Sequence, residues 1–173
     1  MTDGLFDAGA LVRVLQRHEV DFVIIGGIAG QLWGSSTVTQ DLDICYSREK
    51  PNLEHLAEAL RELHAKLRGV KEDVPFRLDA RTLFNGDSFT FTTDFGALDC
   101  LGTPTGTNGY SDLKQAAETM RVGSGLSVRV CSIDDLIRMK RAAGRAKDRQ
   151  ALEELGGLRD ERAAGIPKKP RSP

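Results

Sequence analysis

A chain of 173 residues, 40% hydrophobic and 28% charged, has the length and apolar content to bury one core, and its net charge of −1 gives no molecule-wide signal for nucleic acid. The longest apolar runs, such as Phe22–Ile25, are too short to span a bilayer, and the first residues lack the basic start and apolar run of a secretory signal. Three scattered cysteines, Cys45, Cys100 and Cys131, fit reduced core thiols rather than disulfides or a zinc site, so a cytoplasmic location is expected.

Leu5, Ala8, Leu11, Val12 and Leu15 recur at helical spacing and predict a first helix from about Phe6 to His18. Phe22–Ile25 reads as a buried strand stopped by Gly26-Gly27, with a short helix through Ala29, Leu32 and Trp33 behind it. Asp41–Tyr46 is a second strand. Pro51 stands where a first helical turn tolerates proline, and Leu53, Leu56, Leu60, Leu63 and Leu67 carry a helical rhythm onward. Past Gly69 the pattern is irregular until Ser88–Thr92, which alternates as a strand; Asp94-Phe95-Gly96 turns the chain, and Ala97–Leu101 returns antiparallel. A loop rich in Gly, Thr, Pro and Asn spans Gly102 to Gly109, followed by a helix at Tyr110–Ala117. Thr119–Val122 and Leu126–Cys131 are strands around Gly123-Ser124-Gly125. Ser132 caps a helix with Asp134 and Asp135 in its first turn; Gly144 breaks it, and a last helix runs from about Lys147 to Leu158.

This order predicts an α/β (α+β) protein, a small mixed sheet flanked by helices with a helical C-terminal part. One domain is expected over 1–160, with its core at about 20–131 and C-terminal helices at about 132–158. Residues 161–173 are expected to be a disordered basic tail containing Lys168-Lys169-Pro170-Arg171.

The chemistry is concentrated in Asp41-Leu42-Asp43-Ile44. Side chains alternate along a strand, so Asp41 and Asp43 project from one face while Leu42 and Ile44 enter the core. Aspartate is disfavoured in strands, and two on one face repel each other unless a hard cation such as Mg²⁺ lies between them. Such a pair also arises at exposed strand ends with no ion. Asp99, again alternating with apolar residues in Leu98-Asp99-Cys100, supplies a third acid for a two-metal site. Gly26-Gly27 sits between a buried strand and a helix, where backbone amides approach a phosphate closely. Gly26 to Gly30 reads Gly-Gly-Ile-Ala-Gly, which is neither the dinucleotide fingerprint nor a P-loop, and a simple tight turn fits it as well.

From Val23 to Ile44 the succession of strand, Gly-Gly, short helix, Gly34-Ser35 and Asp41-Leu42-Asp43 resembles the core of the polymerase-β-like nucleotidyltransferases. Within that superfamily it is most similar to the bacterial AbiEii and MenT toxins of toxin–antitoxin pairs, which carry a later helix with lysine, then arginine and aspartate. Here that segment is Met139 to Asp148, and the resemblance covers roughly Val20 to Leu155. Two departures stand out. Gly27 occupies a position that is often serine in the family, which moves triphosphate contact to backbone amides or to Ser35 or Ser36. The long C-terminal half of larger AbiEii-type proteins is also missing.

The resemblance implies a nucleoside triphosphate as substrate, with Mg²⁺ or Mn²⁺ on Asp41, Asp43 and Asp99. Gly26, Gly27, Ser35, Lys140 and Arg145 would bind the nucleotide, and Asp99 would take the acceptor proton. It further implies a tRNA 3′ end as acceptor and a cognate antitoxin as partner. Lys140 falls on the inward stripe of Ile133, Leu136 and Ile137, where a lysine either snorkels past the core or faces a cleft. Asp148 is either catalytic or a salt-bridge partner for Arg145 or Lys140. The basic run from Arg138 to Arg149 fits a solvated helix face or contacts to RNA phosphates. Thr39, two residues before Asp41, is either a strand-start threonine or a regulatory phosphosite whose phosphate would add about −1.5 to −2 charge beside the metals. Other functional classes remain: transfer to a small molecule of the aminoglycoside type, AMPylation of a partner protein, or nucleotide binding without catalysis.

Overall fold

A computed structural model describes residues 5–71, 74–123 and 125–165. Among the described residues seven strands form one mixed sheet. In chain order the elements begin with α1 (Ala8–Arg17), β1 (Phe22–Ile25), α2 (Gly26–Trp33), β2 (Asp41–Tyr46), α3 (Lys50–Glu62) and β3 (Lys66–Leu67). Next come α4 (Ala80–Asn85), β4 (Ser88–Thr93), β5 (Gly96–Leu101), α5 (Tyr110–Ala116), β6 (Glu118–Val122) and β7 (Leu126–Val130). The chain closes with α6 (Ile133–Ala143), a 3-10 turn at Ala146–Asp148 and α7 (Arg149–Ala163). The strand order is β3-β4-β5-β2-β1-β7-β6. β2 runs parallel to β5, and β1 parallel to β7; the remaining neighbours are antiparallel.

The sheet centre is apolar because its strands are. All four residues of β1 are buried, and Leu42, Ile44, Leu98 and Cys100 are fully enclosed beneath the carboxylates with which they alternate. α1 and α3 pack together, and α2 packs on β1 and β2 and against α6 and α7. Trp33 at the end of α2 is anchored by its indole N–H, which donates to the Cys131 carbonyl at 2.9 Å, and Arg162 of α7 lies over its ring. Cys45, Cys100 and Cys131 are buried free thiols, as their scatter predicts. Among the described residues no helix is long and apolar enough to cross a membrane.

Local chemistry explains where the elements stop. Asp7 accepts from the Ala10 amide to start α1, and Ser132 accepts from the Asp135 amide to start α6. Gly144, at φ 63°, ends α6 in the left-handed conformation that glycine adopts without penalty. The leucine rhythm after Pro51 runs further than the helix does. α3 ends at Glu62, His64 turns at φ 50°, and Leu67 pairs with Phe91 across a strand ladder. The irregular stretch before Ser88 contains a further unpredicted element, α4, capped by Asp79. At the other end α7 continues to Ala163, so the expected tail boundary at 161 falls inside its last turn; residues 166–173, with Lys168, Lys169 and Arg171, lie outside the described residues.

Candidate active site

Strand register assembles the carboxylates. β2 and β5 are parallel neighbours with Asp43 directly opposite Asp99, and Asp41 lies two residues earlier on the same face as Asp43. One oxygen from each of Asp41, Asp43 and Asp99 comes within 4.8 Å of the others. All three are partly buried. Burial, and then the charges of Asp41 and Asp99, push the Asp43 carboxyl from 3.8 up to about 7, while a Gly27 N–H turned toward it pulls the other way. Burial raises Asp99 as well, against the pull of the Arg68 guanidinium. Three acids held this close, with one forced toward its neutral form, are the donor set a hard divalent cation needs, so Mg²⁺ or Mn²⁺ fits the residues present.

The start of α2 is built around this triad. Gly26 has φ +68°, and a Cβ built on it would stand 2.0 Å from Asp43 Oδ2. A Cβ on Gly27 would meet the Thr39 Cβ at 2.8 Å, which leaves no room for the serine found there in the resembling family. Thr39 in turn donates through Oγ1 to Asp41 Oδ1 at 2.5 Å, placing its hydroxyl on the carboxylate face.

Two cavities open on either side of the triad, and both are lined by Asp43, Asp99, Lys140 and Arg145. The smaller, about 280 Å³, has an apolar wall that includes Ile25, Leu101, Pro104, Leu136 and Met139, with the Ser88 and Thr90 side chains on β4. The larger, about 530 Å³, is polar and is bordered by Gly27, Thr37, Thr39, Lys147 and Gln150. Lys140 and Arg145 converge on Asp148, the first at 3.4 Å and the second at 2.7 Å. Asp148 is 5% exposed. Burial opposes its ionisation, but the Arg145 hydrogen bond and the Lys140 charge hold its carboxyl below the ordinary value. Asp148 thus makes both of the ion pairs its position allowed, and it fixes two cations that line both cavities.

The 102–109 segment is clamped at each end. Asp87 accepts from the amides of Gly102 and Thr103 and from the Thr103 hydroxyl and Arg48. At the far end Asp112 accepts from the Asn108 amide and from Arg138. Pro104 and Thr105, between the clamps, form part of the apolar cavity wall.

Ser35 does not join the site. It is 2% exposed, and its hydroxyl lies 3.0 Å from both Glu154 Oε2 and Thr37 Oγ1. Its neighbour Ser36 lines the polar cavity while its amide donates to Glu154 Oε1. Arg68 was not legible as a site residue: it donates to Asp99 Oδ1 at 2.7 Å from beyond the end of β3. Its partner is 31 residues away, and no local pattern marks it. Ser88 and Thr90 also border the apolar cavity without a sequence signature, while Lys147, from the basic run, borders the polar one.

No protein-family model matches the chain, and no curated protein matches it in sequence. Solved structures do match in shape. The lincosamide antibiotic adenylyltransferase LnuA, bound to lincomycin, superimposes with a TM-score of 0.58 at 11% identity, over 86% of this chain and 94% of that one. A Thermotoga maritima protein assigned to the nucleotidyltransferases gives 0.53 at 14%, over 90% and 97%. ANT(2'')-Ia in complex with adenylyl-2''-tobramycin gives 0.50 at 15%, over 91% and 95%. The chain has the nucleotidyltransferase fold. At these identities the match is one of architecture alone. In this nucleotidyltransferase fold the Asp41–Asp43 strand and the Asp99 strand are the sheet's central parallel pair, and the Gly26-Gly27 turn stands over them.

Proposed function

We propose that this protein is a metal-dependent nucleotidyltransferase that moves a nucleotide from a nucleoside triphosphate to the 3′ end of a tRNA, as a toxin held in check by a cognate antitoxin. The observation that carries the chemical part is the convergence of Asp41, Asp43 and Asp99 at the junction of two cavities that share Lys140 and Arg145. The acceptor and the antitoxin rest on the resemblance of the Val23–Ile44 and Met139–Asp148 stretches to AbiEii and MenT toxins.

Asp41, Asp43 and Asp99 would hold Mg²⁺ or Mn²⁺, which when bound supplies positive charge for the phosphoryl oxygens. The polar cavity suits the triphosphate: the Gly26-Gly27 turn brings backbone close, and Lys140, Arg145 and Lys147 offset the phosphate charge. The apolar cavity on the Asp99 side suits the acceptor. The acceptor hydroxyl oxygen bonds to the α-phosphorus as the bond from that phosphorus to the bridging oxygen breaks. Asp99 takes the hydroxyl proton, and pyrophosphate leaves. Lys140 neutralises the charge gathering on the departing phosphates, and Asp148 keeps Lys140 in place.

A small-molecule acceptor is the second reading, favoured by the antibiotic-modifying proteins LnuA and ANT(2'')-Ia among the structures of the same fold. Among the described residues Asp43 and Asp99 are the only acids lining the apolar cavity, and the proposed ions claim both, which leaves no free carboxylate there for a polycationic drug. Incubation with each labelled triphosphate, Mg²⁺, and either total tRNA, lincomycin or tobramycin tests the readings. Label on tRNA, lost in Asp41→Ala at preserved folding, is expected. Label on a drug alone moves the acceptor to the second reading, and label on a co-purified protein points to AMPylation.

Thr39 fits a regulatory phosphosite within this scheme. A phosphate on its hydroxyl would stand against the Asp41 carboxylate that the hydroxyl now bonds.

A further inference from the structure

One cation reaches the triad directly. Arg68 Nη2 donates to Asp99 Oδ1 at 2.7 Å, and among the described residues this is the only ion pair made by any of the three carboxylates. Lys140 and Arg145 line the same cavities, yet both are paired with Asp148.

Sheet register puts Arg68 there. The Arg68 amide donates to the Thr90 carbonyl at 2.9 Å, extending the β3–β4 pairing one residue past Leu67 and Phe91. Thr90 is opposite Asp99, and Asp99 is opposite Asp43. Residues opposite one another share a sheet face, so Arg68, Thr90, Asp99 and Asp43 form a row running inward from the sheet edge. The guanidinium lies across β4 on one of the two Asp99 carboxylate oxygens. Its side chain is 41% exposed against 17% for Asp99, so it can return to water without leaving a buried charge of its own.

We propose that Arg68 is the internal counter-cation of the triad, which a divalent ion must displace from Asp99 in order to bind. The inference rests on the reading of Asp41, Asp43 and Asp99 as a metal site and adds a competitor supplied by the chain itself. In the metal-free protein Arg68 offsets one of three crowded carboxylates. On loading, it stands in the way twice, by holding one oxygen of the Asp99 carboxylate and by adding positive charge beside the incoming ion. Both effects have the same sign, so removing the guanidinium strengthens metal binding.

The test is Mn²⁺ titration of the full chain stripped of metal, with free Mn²⁺ counted by its electron paramagnetic resonance signal. Arg68→Ala and Arg68→Met, the second keeping most of the aliphatic stem, are compared with wild type and with Asp99→Asn. Both Arg68 variants are expected to bind Mn²⁺ about three- to tenfold more tightly, the range of a half-exposed charge-assisted pair. Their thermal midpoints should be lower than wild type without metal and rise further with it. Should Arg68→Ala fail to fold, Arg68→Met decides. Affinity equal to or weaker than wild type in a folded Arg68 variant overturns the proposal while leaving the metal site standing. A wild type that binds no Mn²⁺ overturns both.

Discussion

Gly26 and Asp43 share a space that holds only one side chain. A Cβ on Gly26 would lie 2.0 Å from Asp43 Oδ2 and 2.8 Å from its carboxyl carbon, at a backbone φ of +68°. Gly26→Ala should therefore displace the carboxylate and strain the turn by about 1–2 kcal/mol. Nucleotidyl transfer should fall at least on the order of 100-fold, with a lower thermal midpoint. Adding Asp43→Gly should recover part of the midpoint but none of the activity, a split that a merely misfolded variant would not give.

The raised Asp43 carboxyl sets a pH dependence in the metal-free protein. An unfolded chain releases this proton near 3.8 and the folded chain near 7, so between those values the folded state binds more protons. Stability from this group is fully present at low pH and is lost as pH rises from about 4 to about 7, with no further loss above. Urea melts in EDTA across this window, taken as wild type minus Asp43→Asn, should show that fall. Saturating Mg²⁺, which takes the ionised carboxylates, should abolish it.

Asp148 pairs with both Lys140 and Arg145 in the lining of the polar cavity. Asp148→Asn should act mainly through nucleotide binding, raising KM for the triphosphate by about three- to tenfold with a smaller change in kcat. Lys140→Met removes the charge outright and should lower kcat by on the order of 100-fold. Steady-state kinetics on the two variants separates the roles.

Thr39 donates to Asp41 and blocks the space beside Gly27. Thr39→Glu places a fourth acid against the triad and should reduce transfer by on the order of tenfold or more. Thr39→Val, which loses only the hydrogen bond, should retain most activity. Full activity in Thr39→Glu would remove the basis for a phosphorylation switch there.

The strands bearing the acids were readable because alternation of Asp with Leu, Ile and Cys leaves one geometry for a half-buried sheet. Capping by Ser132 and the break at Gly144 were readable for a similar reason, since each is a local rule obeyed locally. Leu67 was not, because a leucine spacing continues on paper after His64 has turned the backbone out of the helix. Ser35 shows the limit of motif transfer: its place in the sequence matches, while Glu154, far along the chain, claims its hydroxyl. Arg68 belongs to the same class, visible only once β3, β4 and β5 lie side by side.

The clamps on the 102–109 segment bear on which acceptors the proposed transferase would take. With Asp87 fastening one end and Asp112 the other, Pro104 and Thr105 are held in the wall of the apolar cavity proposed for the acceptor. In the proposed reaction the shape of that wall would be what an acceptor meets first. Exchanging those two side chains offers a route to new acceptors that leaves the phosphorus chemistry untouched.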